Sequence, residues 1–273
     1  MSHRSTVVFS DLDGTLLDAR GYTFEAALPG LERLRRAKVP LVICTSKSRA
    51  EIEFWRKGLN NHHPYILESG GGIVVPEGYF APEAVESIPV CKERIGRDIL
   101  LVLGTPYSEL RRALCELRDE GFPVRGVGDM DAREFAELTG LPLEQSRLAK
   151  QRAFDEPFTF DGSEARLDEL VSSIAVKGLR FSRGRLYHIT GNNDKGQAVR
   201  ILTQLYRSKV GDLFTIGLGD SPLDFPMFES VERAVLVQNA SGRHDACPDL
   251  PGLWRVDGIG PAGWTQAILM LVP

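Results

Sequence analysis

Short apolar runs alternate with segments of helical period at both ends of the chain, the pattern of a parallel sheet covered by helices. In the N-terminal part this predicts strands at residues 6–9, 40–44 and 65–67, separated by helices near 24–37 and 50–59. In the C-terminal part it predicts strands at 213–217 and 234–237, with helices near 196–206, 222–231 and 262–271. The middle breaks this rhythm. Leu110, Ala113, Leu114 and Leu117 mark one amphipathic helix, and Leu167, Leu170, Val171 and Ile174 mark another. Short strands at 179–182 and 185–189 flank Arg183-Gly184 as a hairpin. The expected fold class is α/β: a doubly wound, mostly parallel sheet core with helices on both faces, interrupted by an inserted α+β domain. The core takes residues 1–82 and 190–273 and the insertion 83–189, with Pro76, Gly78 and Pro82 as the first linker.

Length supports this division, because 273 residues exceed the usual size of one simple domain. A net charge of −4 supplies no basic field for a polyanion, so nucleic acid is not an expected partner. An anionic small molecule would need locally placed cations. Cys44, Cys91, Cys115 and Cys247 are far apart and lack zinc-ligand spacing, which points to reduced thiols. The start of the chain, through His3 and Arg4 into Val7-Val8-Phe9, is too briefly apolar for a signal peptide or a membrane span. These features suggest a cytoplasmic protein without a membrane partner.

Four segments carry the chemistry. The first, Val7-Val8-Phe9-Ser10-Asp11-Leu12-Asp13-Gly14, is a strand that ends in two carboxylates. In an open α/β sheet that end is where ligands bind, and acids this close repel unless a cation or a proton intervenes. The bland alternative is an Asp-x-Asp-Gly turn. The second strand ends in Thr45-Ser46, whose hydroxyls could donate to a phosphoryl oxygen; Ser48 with Glu51 forms a helix-capping box instead. In the third, Asp194 caps a helix with Gln197 closing the box, while Lys195 occupies the first turn, where the helix dipole disfavours a cation. A nearby anion would reverse that penalty. The fourth, Gly217-Leu218-Gly219-Asp220-Ser221-Pro222-Leu223-Asp224, is a strand, a tight turn and a helix start. Asp224 fits a capping box there, whereas Asp220 precedes the cap and is free for a hard cation.

Together these groups describe a phosphoryl-transfer site, in which positioning and neutralisation of charge do most of the work. Asp11 would be the nucleophile and Asp13 the general acid and base. Thr45 and Lys195 would contact the phosphoryl group. Mg²⁺ would be held by Asp11, the backbone carbonyl of Asp13 and Asp220, with Asp224 as the remaining acid of the set.

In order and spacing the four segments resemble the four motifs of the haloacid dehalogenase superfamily, and the insertion resembles the α/β cap of its type IIB members. The likeness extends to Thr45-Ser46-Lys47-Ser48-Arg49, Glu68-Ser69-Gly70-Gly71, Phe154-Asp155-Glu156-Pro157-Phe158 and Tyr187-His188. These stretches resemble the branch that hydrolyses mannosyl-3-phosphoglycerate, or its glucosyl analogue, to a glycosylglycerate used as a compatible solute. The resemblance implies a phosphatase with a phosphoaspartate intermediate, Mg²⁺ as cofactor and a small phosphorylated substrate. Two positions depart from the family pattern, Ser69 and Leu223, each of which is usually Asn.

For the substrate, Ser46, Lys47 and Arg49 are candidate anion contacts, since ammonium and guanidinium groups bind carboxylate and phosphate. Glu68, with Gly70 and Gly71, is a candidate for sugar hydroxyls, and Arg152, Arg185 and His188 are candidates from the cap. A sugar phosphatase or phosphomutase of the same fold, or a sugar-phosphate binder without turnover, are the rival readings. Gly258-Ile259-Gly260-Pro261-Ala262-Gly263 matches a dinucleotide-binding glycine pattern but is expected to be a loop, because a following βαβ unit has no room.

Overall fold

The computed structural model describes residues 4–184, 186–248 and 250–273. Its large sheet holds β1 (Ser5–Ser10), β2 (Leu41–Cys44), β3 (Tyr65–Leu67), β4 (Gly72–Val75), β5 (Cys91–Ile95), β6 (Asp98–Val102), β11 (Leu213–Gly219), β12 (Arg233–Gln238) and β13 (Trp254–Ile259). The order is β13-β12-β11-β1-β2-β3-β4-β6-β5. The pairs from β13 to β3 are parallel; β4, β6 and β5 pair antiparallel at one side. Order reverses around β1, with β11 on one side and β2 on the other, so the carboxyl end of β1 opens at a topological switch point.

Helices cover both faces, which is why the inner strands read as continuous apolar runs. On one face α1 (Leu28–Arg36), α2 (Arg49–Leu59) and α10 (Pro261–Leu271) pack over Val8, Ile43, Ile216 and Val235. On the other, α3 (Pro82–Glu86), α8 (Lys195–Val210) and α9 (Phe225–Phe228) pack over Val7, Phe9, Val42 and Leu236. Successive side chains of β1 thus go to opposite cores.

A second, antiparallel sheet has the order β7-β8-β10-β9, from β7 (Val124–Gly126), β8 (Asp155–Phe160), β9 (Arg180–Arg183) and β10 (Tyr187–Thr190). The helices α4 (Tyr107–Asp119) and α7 (Glu164–Val176) bury Leu110, Leu114, Leu167, Leu170 and Ile174 against it. Two further helices, α5 (Ala132–Thr139) and α6 (Leu143–Ala149), build a small core from Val127, Met130, Phe135 and Ala149, and α6 reaches α2 of the large domain.

Three expectations are corrected here. Residues 91–102, placed in the insertion at 83–189, form the β5–β6 hairpin of the large sheet. β4 is fully buried, so its outer edge needs a partner, and β6 supplies one. The helix expected at 222–231 shrinks to a 3-10 turn, Pro222–Asp224, followed by α9, with a proline at the start of each. The stretch Gly258 to Gly263 is a strand-to-helix junction, not a loop, and its glycines are packed backbone to backbone: a Cβ on Gly258 would lie 2.7 Å from Gly263. Among the described residues no helix is long and apolar enough to cross a membrane.

Candidate active site

The site is built where β1, β2, β11 and α8 end or begin. Register places Ser10 level with both Leu218 of β11 and Ile43 of β2, so Asp11, Asp220 and Thr45 emerge at one edge. The Ser10 hydroxyl donates to the Asp11 carbonyl at 2.7 Å and accepts from the Trp264 indole at 3.0 Å, fixing the strand end from α10. Gly14 turns the chain at φ +77°, and a Cβ there would sit 2.4 Å from an Asp220 oxygen, so only glycine lets the loop approach this acid.

Lys195 joins the acids. Its Nζ lies 2.7 Å from Asp11 Oδ1 and 2.6 Å from Asp224 Oδ1, with the ammonium almost entirely buried. Burial alone would lower its pKa, yet Asp11 and Asp224 more than reverse this and raise it. The dipole penalty foreseen for a first-turn lysine is therefore met by two carboxylates. Asp194 caps α8 as expected, accepting from the Gln197 amide at 2.7 Å.

Ligand oxygens of Asp11, Asp220 and Asp224 lie within 4.8 Å of one another. They are not equivalent. Asp224 Oδ2 accepts from the Asp220 and Ser221 amides and the Ser221 hydroxyl, while Oδ1 takes Lys195, so Asp224 holds both the lysine and the turn. Asp220 keeps one oxygen on Thr15 at 3.1 Å. Burial, only partly offset by Lys195, pushes Asp11 up to about 7. Burial and the neighbouring Asp11 push Asp220 up to about 8. Two hard carboxylates whose charge the protein alone does not neutralise are a donor set that suits a divalent cation such as Mg²⁺.

Asp13 has other partners. One of its oxygens lies 2.9 Å from Lys47 Nζ, and the other is buried without a hydrogen-bond partner. It borders a cavity of about 110 Å³ between the two domains, shared with Ser46, Lys47, Arg152 and His188. Tyr22, Phe135 and Leu186 complete its apolar side. Lys47 also bonds Glu51 at 3.3 Å, and Asp13 and Glu51 raise its pKa although burial opposes them. Thr45, buried, accepts from the Lys47 amide through its hydroxyl at 3.4 Å and from the Ser69 amide through its carbonyl.

Other sequence candidates have different surroundings. Arg49 is half exposed and pairs with Glu53 along α2, away from the cavity. Glu68 is fully buried and its carboxylate accepts the Ala153 and Phe154 amides of the cap, leaving it no sugar-facing oxygen in this arrangement. Gly70 and Gly71 are packing positions: a Cβ on Gly70 would lie 2.1 Å from the Asp194 carbonyl, and one on Gly71 2.4 Å from Phe154. Arg152 donates to the Ser46 carbonyl at 2.8 Å and pairs with Asp155, which also holds His188 Nδ1 at 2.9 Å. Arg185 lies outside the described residues. Leu223 lines a groove with Phe181, Ser69 and Lys195, an apolar bridge under the β9–β10 hairpin.

Residues that sequence reasoning missed include Thr15, Trp264, Asp155 and Glu51 in its second role. Glu51 was legible as a cap, but its contact with Arg152 depends on the cap domain being seated.

Comparison with known proteins gives the family. A model of haloacid dehalogenase-like hydrolases matches residues 8–95. The chain is 40% identical over 268 residues to the glucosyl-3-phosphoglycerate/mannosyl-3-phosphoglycerate phosphatase of Methanococcoides burtonii, covering 97% of each chain. It is 35% identical to the Persephonella marina protein of the same description, covering 96% of this chain and 95% of that one. Among solved structures, a haloalkanoate-superfamily phosphatase from Bacteroides thetaiotaomicron matches with a TM-score of 0.67 at 16% identity, over 98% of this chain and 96% of that one. Sucrose-phosphatase from Synechocystis matches with a TM-score of 0.60 at 17% identity, over 98% of both chains. This chain belongs to the haloacid dehalogenase-like hydrolases and, with those relatives, to their phosphatases.

Proposed function

We propose that this chain hydrolyses a glycosyl-3-phosphoglycerate, glucosyl or mannosyl, to the glycosylglycerate and phosphate. The observation that carries the reading is the placement of Asp11. It stands beside Lys195 and Asp220, and Asp13, two residues on, borders the cavity between core and cap. Near-full-length likeness to the glucosyl-3-phosphoglycerate/mannosyl-3-phosphoglycerate phosphatases supports the substrate class.

In the first half-reaction an Asp11 oxygen bonds to phosphorus as the bond to the glycerate oxygen breaks, and Asp13 delivers a proton to that leaving oxygen. In the second, Asp13 takes a proton from water. The resulting hydroxide attacks phosphorus and the Asp11–phosphoryl bond breaks, restoring both carboxyl groups. Lys195 keeps its charge throughout and offsets negative charge on the phosphoryl oxygens, held in place by Asp224. Thr45, at the end of β2, is the hydroxyl we assign to the same oxygens. Mg²⁺, held by Asp11 and Asp220, would supply further neutralisation of the phosphoryl group when bound. Lys47 and Arg152 give the cavity the cations that a glycerate carboxylate requires, with His188 beside them.

Incubation with Mg²⁺ and a panel of glucosyl- and mannosyl-3-phosphoglycerate, hexose 6-phosphates and hexose 1-phosphates tests the assignment. Equimolar glycosylglycerate and phosphate, with kcat/KM at least about tenfold above every hexose phosphate, is the expected result. Such a factor corresponds to about 1.4 kcal/mol of transition-state preference. A preferred hexose phosphate would overturn the substrate, and an isomerised sugar phosphate without free phosphate would overturn hydrolysis itself.

A further inference from the structure

Glu68 has no part in the chemistry above, yet it stands at the junction of core and cap. It follows the last residue of β3, and its carboxylate, at 0% exposure, reaches across the domain boundary. One oxygen accepts the Ala153 amide at 3.0 Å, and the other accepts Phe154 at 2.7 Å and Ala153 at 3.1 Å. These two amides lead directly into β8, whose first residue, Asp155, holds Arg152 and His188 over the cavity.

On the core side, the same residue is tied by its backbone. The Glu68 amide donates to the Lys47 carbonyl at 3.1 Å, and the next amide, Ser69, donates to the Thr45 carbonyl at 3.0 Å. One residue further, Gly70 abuts the Asp194 carbonyl at the start of α8, immediately before Lys195. Glu68 and Ser69 are both held in the left-handed region, at φ +46° and +53°. Each such residue costs about 1–2 kcal/mol for an L side chain, and such strain persists where surrounding contacts demand it. Here the contacts are those with the cap and the catalytic loop.

We propose that Glu68 is a positioning residue that latches the cap: by holding the Ala153 and Phe154 amides it keeps Asp155, and with it Arg152 and His188, over the cavity for the part of the substrate beyond the phosphoryl group. The inference rests on the proposed reaction for its kinetic arm only. A substrate large enough to engage the cap depends on this latch, whereas a small aryl phosphate that occupies only the core end of the site does not. Glu68→Gln keeps the shape but removes the charge and replaces one acceptor oxygen by an NH₂ group that faces an amide donor, so it weakens the latch without removing bulk.

The test compares wild type, Glu68→Gln and Glu68→Asp by circular dichroism, hydrogen exchange, and steady-state hydrolysis of p-nitrophenyl phosphate and of the preferred glycosyl-3-phosphoglycerate. With a native spectrum retained, the expected result in Glu68→Gln is at least about tenfold faster exchange of the 153 and 154 amides. The kcat for the large substrate should fall at least about tenfold, which is about 1.4 kcal/mol, while p-nitrophenyl phosphate turnover stays within about twofold. Glu68→Asp, one methylene short, should behave likewise and serves if the Gln variant fails to fold. Unchanged exchange at 153 and 154 would overturn the latch, and so would an equal loss on both substrates. If wild type turns over only p-nitrophenyl phosphate, the substrate assignment falls, while the exchange measurement still decides the latch.

Discussion

Asp11 is pulled in two directions: burial favours its neutral form and Lys195, 2.7 Å away, favours its charge. Asp11→Asn should therefore leave a folded protein of equal or higher thermal stability, because it removes a buried charge, while turnover falls by at least about a thousandfold with the nucleophile gone. Calorimetry and phosphate release check both parts; a rate near wild type would remove Asp11 from its role. Ser69 gives a second residue-level prediction. It is held at φ +53°, where Asn, the family's usual residue at this position, is tolerated better than Ser. Ser69→Asn should raise stability by about 0.5–1 kcal/mol in denaturant melts, and a destabilised variant would show that the side chain, not the backbone, decides this position. Asp11, Asp13, Lys195 and Asp220 were legible in the sequence because each sits at an element boundary with a local motif. The surroundings of Glu68 and Arg152 were not, since their partners lie in segments whose approach depends on docking: Arg152 bonds a carbonyl 106 positions away, and Glu68 an amide 86 positions away.

At the scale of elements, α8 carries the cation that makes the site possible. Its first turn would repel an ammonium on its own, but the ends of β1 and of the β11 turn bring two carboxylates to it. Lys195→Met should cost about 3–5 kcal/mol in metal-free protein, since it strands buried acids without their partner, and should abolish turnover. A loss of activity with unchanged stability would mean that the pair contributes nothing to the fold. The strands flanking β1 could be read from their apolar runs. The β5–β6 hairpin could not be assigned to the right sheet, because a largely exposed β5 and a half-buried β6 fit the edge of either domain. What decides is the uncovered edge of β4, a tertiary fact. The helices α5 and α6 escaped notice because each is only two turns long and packs on a core of four buried residues.

For the molecule as a whole, the seated cap leaves about 110 Å³ over Asp13, below the roughly 300–1,000 Å³ usual for small-molecule sites. If the proposed substrate is right, its entry would require the cap to lift or rotate and the Arg152 and Glu68 contacts to break. The metal couples to stability in the same way. In metal-free protein Asp11 and Asp220 rise from the ordinary 3.8 to about 7 and about 8. Between roughly pH 4 and pH 8 the folded chain then holds protons that the unfolded chain has released, so its stability should fall as pH rises through that window. A cation that binds the ionised acids reverses the trend, and the gain in Tm on adding Mg²⁺ to chelator-treated protein should grow with pH up to about 8. A gain that is flat with pH would argue against Asp11 and Asp220 as the ligands.

The whole account turns on Asp11 becoming covalently phosphorylated. Acid quenching during turnover, borohydride reduction of the acyl phosphate and peptide mapping should convert position 11, and no other acid, to homoserine. Homoserine at Asp13 or Asp220, or unmodified peptides from enzyme quenched in the act of rapid turnover, would contradict it.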